Sequence, residues 1–236
     1  MLCSMSWLLR LPLLVIPVVS LVLIGRFLRG WYGVLAALLL ATSIPFYYYS
    51  VGVRGYGLSM MLFLFMLHFV EGHRYVWTAI TTALFVYVMP SNVAFVLGVL
   101  VMLCLRRITR KPALISILLG AVVGTIMYLP LIPAMRIDPQ VMAHDSYWRI
   151  LTESFPQVAW AFLSYRFLLV PFVLYEIIKC RGFVRDAAVV TIVSCSLFLI
   201  SGNYLWARVL LPLLPLWCIA TATILTEYQK EKGGHR

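Results

Sequence analysis

Long runs of apolar residues, interrupted only by short polar segments, make up most of this chain of 236 residues. A membrane-spanning α-helix needs roughly 20 predominantly apolar residues, and nine runs approach or reach that length. None of them alternates apolar and polar residues as the strands of a membrane barrel do, so the runs predict helices. The predicted spans are about 6–25, 31–50, 55–71, 75–89, 92–105, 113–133, 158–178, 187–201 and 204–226.

The overall composition argues against an ordinary soluble domain. Hydrophobic residues make up 63% of the chain and charged residues 11%, whereas soluble domains are roughly half apolar and about a quarter charged. A chain of this length has too little interior to bury so much apolar surface away from water. We therefore predict an all-α, polytopic transmembrane helix bundle in which residues 1–236 form a single module.

The net charge of +11 does not by itself indicate a nucleic-acid-binding protein. A binding stripe concentrates Lys and Arg with aromatic residues on one segment, whereas these basic residues form small clusters between apolar runs, as membrane loops do. No nucleic-acid partner is expected. The five cysteines are odd in number and irregularly spaced, so they are predicted to be small apolar side chains that form neither disulfides nor metal sites.

The segment 75–105 is either one tilted helix or two short ones. A break at Met89-Pro90-Ser91-Asn92 is favoured, because Pro lacks a backbone donor and Ser and Asn favour turns. With the break, thirteen of the nineteen Lys and Arg residues fall on one side of the membrane and six on the other, whereas a single helix gives twelve and seven. The positive-inside rule therefore favours two helices and a cytoplasmic C-terminus.

The segment 134–157 is the only sizeable polar loop, and it is predicted to lie on the outer side. Asp145 has the character of a helix N-cap and Pro156 that of a helix stop. Two interpretations remain open for it: a short interfacial helix that rests on the membrane surface, or a lid over a site that faces outward. The apolar face of the predicted helix consists of Trp148, Leu151 and Phe155.

Two segments at the predicted outer ends of helices combine an arginine with aromatic residues: four tyrosines accompany the first arginine, and a tyrosine and a tryptophan accompany the second. An arginine fork binds phosphate with two hydrogen bonds, and tyrosines supply hydroxyl groups and flat faces for sugars or headgroups. One interpretation is therefore a clamp for a lipid phosphate; the other is an aromatic belt with snorkelling arginines. The candidate substrate-binding residues are Arg54, Tyr56, Arg208, Tyr48, Tyr49 and Tyr204.

Common catalytic motifs are missing from the sequence: it has no zinc-protease motif, P-loop, dinucleotide fingerprint or nucleophile elbow. The eight Asp and Glu residues do not form the chain of intramembrane carboxylates that a proton-driven pump needs. No cofactor or metal site is predicted in this chain, and no catalytic residue is assigned.

Four passages carry a family resemblance. They are Leu9-Arg10-Leu11-Pro12; Gly25-Arg26-Phe27-Leu28-Arg29-Gly30-Trp31-Tyr32-Gly33 with the apolar run that follows; Tyr48-Tyr49-Ser50 with Arg54-Gly55-Tyr56-Gly57-Leu58; and Arg208-Val209-Leu210-Leu211-Pro212 with Pro215. In order, spacing and sidedness they resemble the GT-C superfamily of membrane glycosyltransferases. More narrowly, they resemble the bacterial family related to protein O-mannosyltransferases and lipid A aminoarabinose transferases.

This resemblance implies an activity as well as a fold. Such enzymes transfer a sugar from a polyprenyl-phosphate carrier to an acceptor on the outer face of the membrane. Their arginines neutralise the departing phosphate, and an acidic residue of the first outer loop serves as base, often with a divalent cation. The expected partners are therefore membrane lipids and a polyprenyl-phosphate-linked sugar, and the expected location is the inner membrane of a bacterium.

The chain departs from the family pattern at positions that bear on catalysis. No span with an acidic outer loop precedes Arg10, Val51-Gly52 stands in place of a glutamine-glutamate pair, and Val209 stands where tyrosine is common. We expect either an N-terminally incomplete transferase or a degenerate relative. The alternative function is that of a non-catalytic membrane protein: a lipid-binding subunit, a flippase or a transporter.

Overall fold

The computed structural model describes residues 2–28, 30–49, 55–106, 111–131, 152, 156, 182–200 and 210–233. All regular structure in these ranges is helical, and none of them contains a strand. The prediction of an all-α protein is confirmed for this part of the chain. The predicted span 158–178, and the predicted outer loop 134–157 with its interfacial helix apart from Thr152 and Pro156, lie outside the described residues.

Nine α-helices follow one another within the described ranges. They are α1 (Leu2–Phe27), α2 (Trp31–Ala41), α3 (Ile44–Tyr49), α4 (Tyr56–Glu71), α5 (Tyr75–Val88), α6 (Val93–Leu105), α7 (Lys111–Tyr128), α8 (Gly182–Ile200) and α9 (Leu214–Gly233). Short 3-10 helices precede α6, follow α7 and precede α9; they are Pro90–Asn92, Leu129–Leu131 and Leu211–Leu213. Most helices therefore coincide with the predicted apolar runs.

The second predicted span is interrupted. α2 ends and α3 begins around Ser43, whose Oγ donates to the Leu40 carbonyl oxygen at 2.7 Å. Pro45 explains the break, because proline cannot donate a backbone hydrogen bond and its ring clashes with the preceding turn of a helix. With 11 residues, α2 is only about 16 Å long, about half of a bilayer core. The prediction of one continuous span over 31–50 is wrong.

Within the described part of the chain, one helical stretch has both the length and the apolarity of a membrane-crossing helix. It is Lys111–Leu131, with 21 residues and a mean hydropathy of 2.2. The remaining apolar stretches have 10–17 residues; they are Leu14–Phe27, Trp31–Ala41, Tyr56–Glu71, Tyr75–Val88, Pro90–Leu105 and Leu211–Leu225. The number of membrane crossings therefore stays a prediction.

The chain reverses between α5 and α6. Gly120 and Gly124 of α7 lie against Ala79 and Ala83 of α5, respectively. Because residue numbers increase in the same direction along both contacting faces, α5 and α7 are parallel. α6 lies between them in the sequence, so it leads from the end of α5 back toward the start of α7 and runs opposite to both. The predicted break in the segment 75–105 is confirmed, and the segment forms two helices.

Phenylalanine side chains join four helices at the centre of the described bundle. Phe63 of α4, Phe85 of α5 and Phe95 of α6 are fully buried, and their ring centroids lie 5.5–6.3 Å apart. Phe198 of α8 reaches the same cluster, 5.5 Å from Phe95. A second buried cluster connects α1, α2, α3 and α4 with α9; it includes Ile24, Ala36, Leu40, Phe46, Met60, Leu214 and Cys218.

Small residues let α5 and α7 approach backbone to backbone. A Cβ atom added at Gly120 would overlap the Ala79 carbonyl oxygen and lie 2.8 Å from Thr82 Cβ. At Gly124 the added atom would lie 3.0 Å from Val86 Cβ. Glycines four residues apart on one face are a frequent means of close helix packing in membranes, where the hydrophobic effect does not drive helices together.

We expect Gly120→Ala to lower the free energy of unfolding by about 1–3 kcal/mol relative to Gly25→Ala, because the added methyl group overpacks a rigid backbone contact. Gly25→Ala is the matched control: it gains the same helix propensity, but its Cβ would lie 3.8 Å from the nearest atom, the Gly33 carbonyl oxygen. Denaturant unfolding in detergent, followed by circular dichroism, measures both variants. Equal stabilities would contradict the close contact.

Candidate functional site

Tyrosines gather where α3 ends and α4 begins. The rings of Tyr49 and Tyr56 meet edge to face with centroids 6.3 Å apart. Gly55 has a φ of 77°, in the left-handed region that glycine adopts without strain, and so permits a tight entry into α4. Tyr47 and Tyr48 also pair edge to face, and they are 75% and 70% exposed. We refer to Tyr47, Tyr48, Tyr49, Tyr56 and Asn92 as the tyrosine end.

The structure brings part of the predicted site together. Tyr49 and Tyr56 are in ring contact, and Tyr48 lies exposed at the same end of the bundle. The other three predicted residues, Arg54, Tyr204 and Arg208, lie outside the described residues. The described segments that follow Arg54 and Arg208 in the sequence are the start of α4 and the 3-10 helix before α9.

These two neighbouring segments pack together. The 3-10 helix Leu211–Leu213 begins three residues after Arg208; it packs against α4, which begins two residues after Arg54, and it also contacts α3. Leu211 and Leu213 are buried almost completely, so this helix is anchored firmly in the apolar core. The described segments that follow the two arginines in the sequence are therefore neighbours in the fold.

A buried hydrogen-bond network holds α4 to the turn before α6. The side chain of Asn92 is 1% exposed, and its Nδ2 donates to Ser59 Oγ at 2.9 Å and to the Phe85 carbonyl oxygen at 2.7 Å. Ser59 lies one turn after Tyr56, so this network sets the position of the start of α4 relative to α5. The sequence contained a signal for this network, because an asparagine between apolar runs needs hydrogen-bond partners when it is buried.

An ion pair joins the end of α6 to the start of α8. Arg106 donates from both Nε and Nη2 to Asp186 Oδ2, with the Nε bond at 2.7 Å. Arg185 Nη2 lies 3.5 Å from the other carboxylate oxygen. Asp186 is 4% exposed, so a buried carboxylate lies between two guanidinium groups. This contact was not predicted, since Arg106 and Asp186 are 80 positions apart in the chain.

Three further cations, Arg26, Arg74 and Lys111, lie at the same end of the bundle as this ion pair. The ring of Phe27, next to Arg26, lies 6.1 Å from His68 in the last turn of α4. α7 begins at Lys111 and runs parallel to α5, which begins after Arg74. We refer to Arg26, Arg74, Arg106, Lys111 and Arg185 as the basic end. All five belong to the thirteen cations that the sequence assigns to one side.

A small recess opens between α4, α6 and α8 near the ion pair. Glu71, Arg106 and Asp186 contribute its polar groups, and Leu67, Met102 and Val190 are among its apolar lining residues. It has room for about one water molecule, so neither a sugar nor a headgroup fits inside. Within the described ranges, no three His, Cys, Asp or Glu side chains lie close enough together to hold a metal ion.

We expect Asn92→Ala to lower the free energy of unfolding by about 1–3 kcal/mol, because Ser59 and the Phe85 carbonyl group would lose a buried partner. Ser91→Ala, at a half-buried position one residue earlier, is the control and should change stability little. Thermal unfolding in detergent compares the two. A stability of Asn92→Ala equal to that of Ser91→Ala would show that the network contributes nothing.

A double-mutant cycle tests the ion pair. We expect Arg106→Met to cost about 3–5 kcal/mol of unfolding free energy, because Asp186 would stay buried without its main partner. Adding Asp186→Leu should recover part of that loss, since no buried charge then remains to be compensated. Free energies from denaturant unfolding give the coupling between the two sites. Strictly additive losses would mean that the two side chains do not depend on each other.

Comparison with known proteins finds no match: no protein-family model, no curated protein and no solved structure aligns with this chain. The relation to GT-C glycosyltransferases therefore stays a prediction from the sequence motifs. Within the described residues, the arrangement that bears on function is a bundle with the tyrosine end and the basic end on opposite sides.

Proposed function

We propose that the chain is a multi-pass membrane glycosyltransferase module, or part of one, that binds a polyprenyl-phosphate-linked sugar at its tyrosine end. The observation that carries the proposal is the contact between α4 and the 3-10 helix Leu211–Leu213. It brings together the described segments that follow Arg54 and Arg208 in the sequence, and Tyr49 and Tyr56 pair at the start of α4.

The sides of the bundle support a membrane location. Large apolar side chains are exposed at helical spacing along α5 and α7, where a soluble protein would present polar groups. On α5 they are Val76, Trp77, Ile80, Leu84 and Tyr87, and on α7 they are Ile115, Leu118, Leu119, Val122, Val123, Ile126 and Met127. Acyl chains are the surroundings that suit such surfaces, and α7 with the turn after it is long enough to cross a bilayer core.

The distribution of charge supports an outward orientation of the tyrosine end. The five cations of the basic end lie at the opposite end, and Lys and Arg are enriched on the cytoplasmic side of membrane proteins. The tyrosine end would then face the outer surface. This is the side on which family members that this chain resembles take sugars from polyprenyl-phosphate carriers.

The chemistry proposed for this end needs groups for a phosphate and for a sugar. Two arginine forks would each donate a pair of hydrogen bonds to the carrier phosphate and compensate the charge that builds up as the sugar leaves. The tyrosines would present flat faces to the sugar ring and hydroxyl groups to its oxygens. The exposed ring of Tyr48 and the paired rings of Tyr49 and Tyr56 suit this role.

A non-catalytic protein that binds the carrier lipid is the second candidate, and one observation favours it. Where side chains are described, the carboxylates are Glu71 and Asp186, and both line the recess at the basic end. A general base must lie within hydrogen-bond reach of the proton that it removes. The described part of the tyrosine end therefore supplies groups for binding but no carboxylate base.

We expect Arg54→Ala and Arg208→Ala each to weaken the binding of polyprenyl phosphate about tenfold to hundredfold, because each would remove charge-assisted hydrogen bonds to the phosphate. Binding to the purified chain in detergent is measured with polyprenyl phosphate, and with the phosphate-free polyprenol as the matched ligand. Arg74→Ala, at the basic end, removes the same charge and should leave binding unchanged. Native-like binding by both site variants would refute the phosphate clamp.

Incubation with polyprenyl-phosphate sugars separates the two candidates. Release of the sugar to an acceptor, lost in Arg54→Ala, would establish the transferase. Binding that is sensitive to both arginine substitutions, without any turnover, would assign the chain to the non-catalytic class.

A further inference from the structure

We propose that the basic end binds the headgroup of an anionic phospholipid, with Arg185 as its central hydrogen-bond donor. This binding site lies at the opposite end of the bundle from the proposed carrier site. This proposal rests on the membrane location in the proposed function, and it does not depend on sugar transfer.

Positive charge exceeds negative charge at this end, because the five cations of the basic end are accompanied by two carboxylates, Glu71 and Asp186. Asp186 Oδ2 accepts two hydrogen bonds from Arg106, and its Oδ1 lies 3.5 Å from Arg185 Nη2. One carboxylate thus faces two guanidinium groups, and the three side chains together carry a net positive charge. Their charge is poorly screened because the Asp186 side chain is only 5% exposed.

One donor of this group has no acceptor. Within the described part of the chain, the Nε–H of Arg185 is buried and makes no hydrogen bond. An unpaired buried donor on a charged group is strongly unfavourable, so a partner is expected there. The Arg185 side chain as a whole is 36% exposed, so part of it is accessible from outside the bundle. An external anion with acceptor oxygens, such as a phosphodiester, would supply the missing acceptor and would approach from the exposed side of Arg185.

Further cations surround this position. Arg74 and Lys111 are exposed at the starts of α5 and α7, and Arg26 is exposed at the end of α1. Each basic residue near a membrane surface raises the affinity for anionic lipid about fivefold. A singly charged or doubly charged headgroup is therefore favoured over a zwitterionic one.

The neighbouring apolar and aromatic side chains point to a lipid as the source of the phosphate. Trp31 and Trp77, at the starts of α2 and α5, are 64% and 55% exposed, and tryptophan is enriched at the headgroup level of membranes. Exposed Val76 and Ile115 begin the apolar sides of α5 and α7 at the same end. A phospholipid could place its phosphate among the cations and its acyl chains along these sides.

The experiment measures which lipids stay with the protein. The full chain is reconstituted into vesicles of equal parts phosphatidylcholine and phosphatidylglycerol and extracted in mild detergent, and the retained lipids are quantified by mass spectrometry. We expect the native chain to retain phosphatidylglycerol in preference to phosphatidylcholine. Arg185→Gln should reduce that preference about fivefold, and Arg185→Lys, which keeps the charge but loses Nε, should give an intermediate preference.

Arg10→Gln is the charge-matched control, because Arg10 lies on α1 about 24 Å from Arg26 along the helix axis; it should retain the native preference. The proposal is overturned if both Arg185 variants keep the native preference, if Arg10→Gln loses as much, or if inorganic phosphate displaces the bound lipid and binds equally well in lipid-free detergent. Insertion into vesicles without any lipid preference would refute this site and leave the proposed carrier binding intact. Failure to insert would refute both.

Discussion

The parallel contact between α5 and α7 determines the direction of the chain through the centre of the bundle. Because Gly120 and Gly124 allow the two helices to touch, their common direction requires α6 to run back between them. α6 then ends with Arg106 at the same level as the start of α8, where Asp186 meets it. A single steric feature, the missing side chains of two glycines, thereby brings the partners of the buried ion pair to one end.

The same reversal also organises the opposite end. The turn between α5 and α6 carries Asn92, whose side chain reaches Ser59 in the first turns of α4. This places the entry into α4, with Gly55 and Tyr56, beside the end of α5. The tyrosine end and the basic end are therefore separated by the length of the helices. The first presents hydroxyl groups and rings, and the second presents guanidinium groups and the carboxylate that pairs with them.

Local features of the sequence predicted the positions of the helices better than they predicted the contacts between them. Runs of apolar residues located α4 to α7, and Pro90 indicated the reversal, because both signals act within a few residues. Pro45 carried the same signal but lay inside a long apolar run, so the interruption there was missed. The partners of Asn92 and Arg106 lie 33 and 80 positions away, and only the fold brings them together. Of the predicted site, Tyr48, Tyr49 and Tyr56 lie at one end, while Arg54, Tyr204 and Arg208 stay predictions.

The unequal lengths of neighbouring helices have a consequence for the surrounding lipid. α4, α5 and α6 have 16, 14 and 13 residues, about 20–24 Å, whereas Lys111–Leu131 has 21, about 31 Å. In the proposed bilayer, α5 and α7 lie side by side and cannot both match one hydrophobic thickness. The bilayer would thin beside the short helices or the long one would tilt. Local thinning would draw the outer leaflet toward the tyrosines and shorten the distance that a carrier phosphate must travel out of the acyl chains.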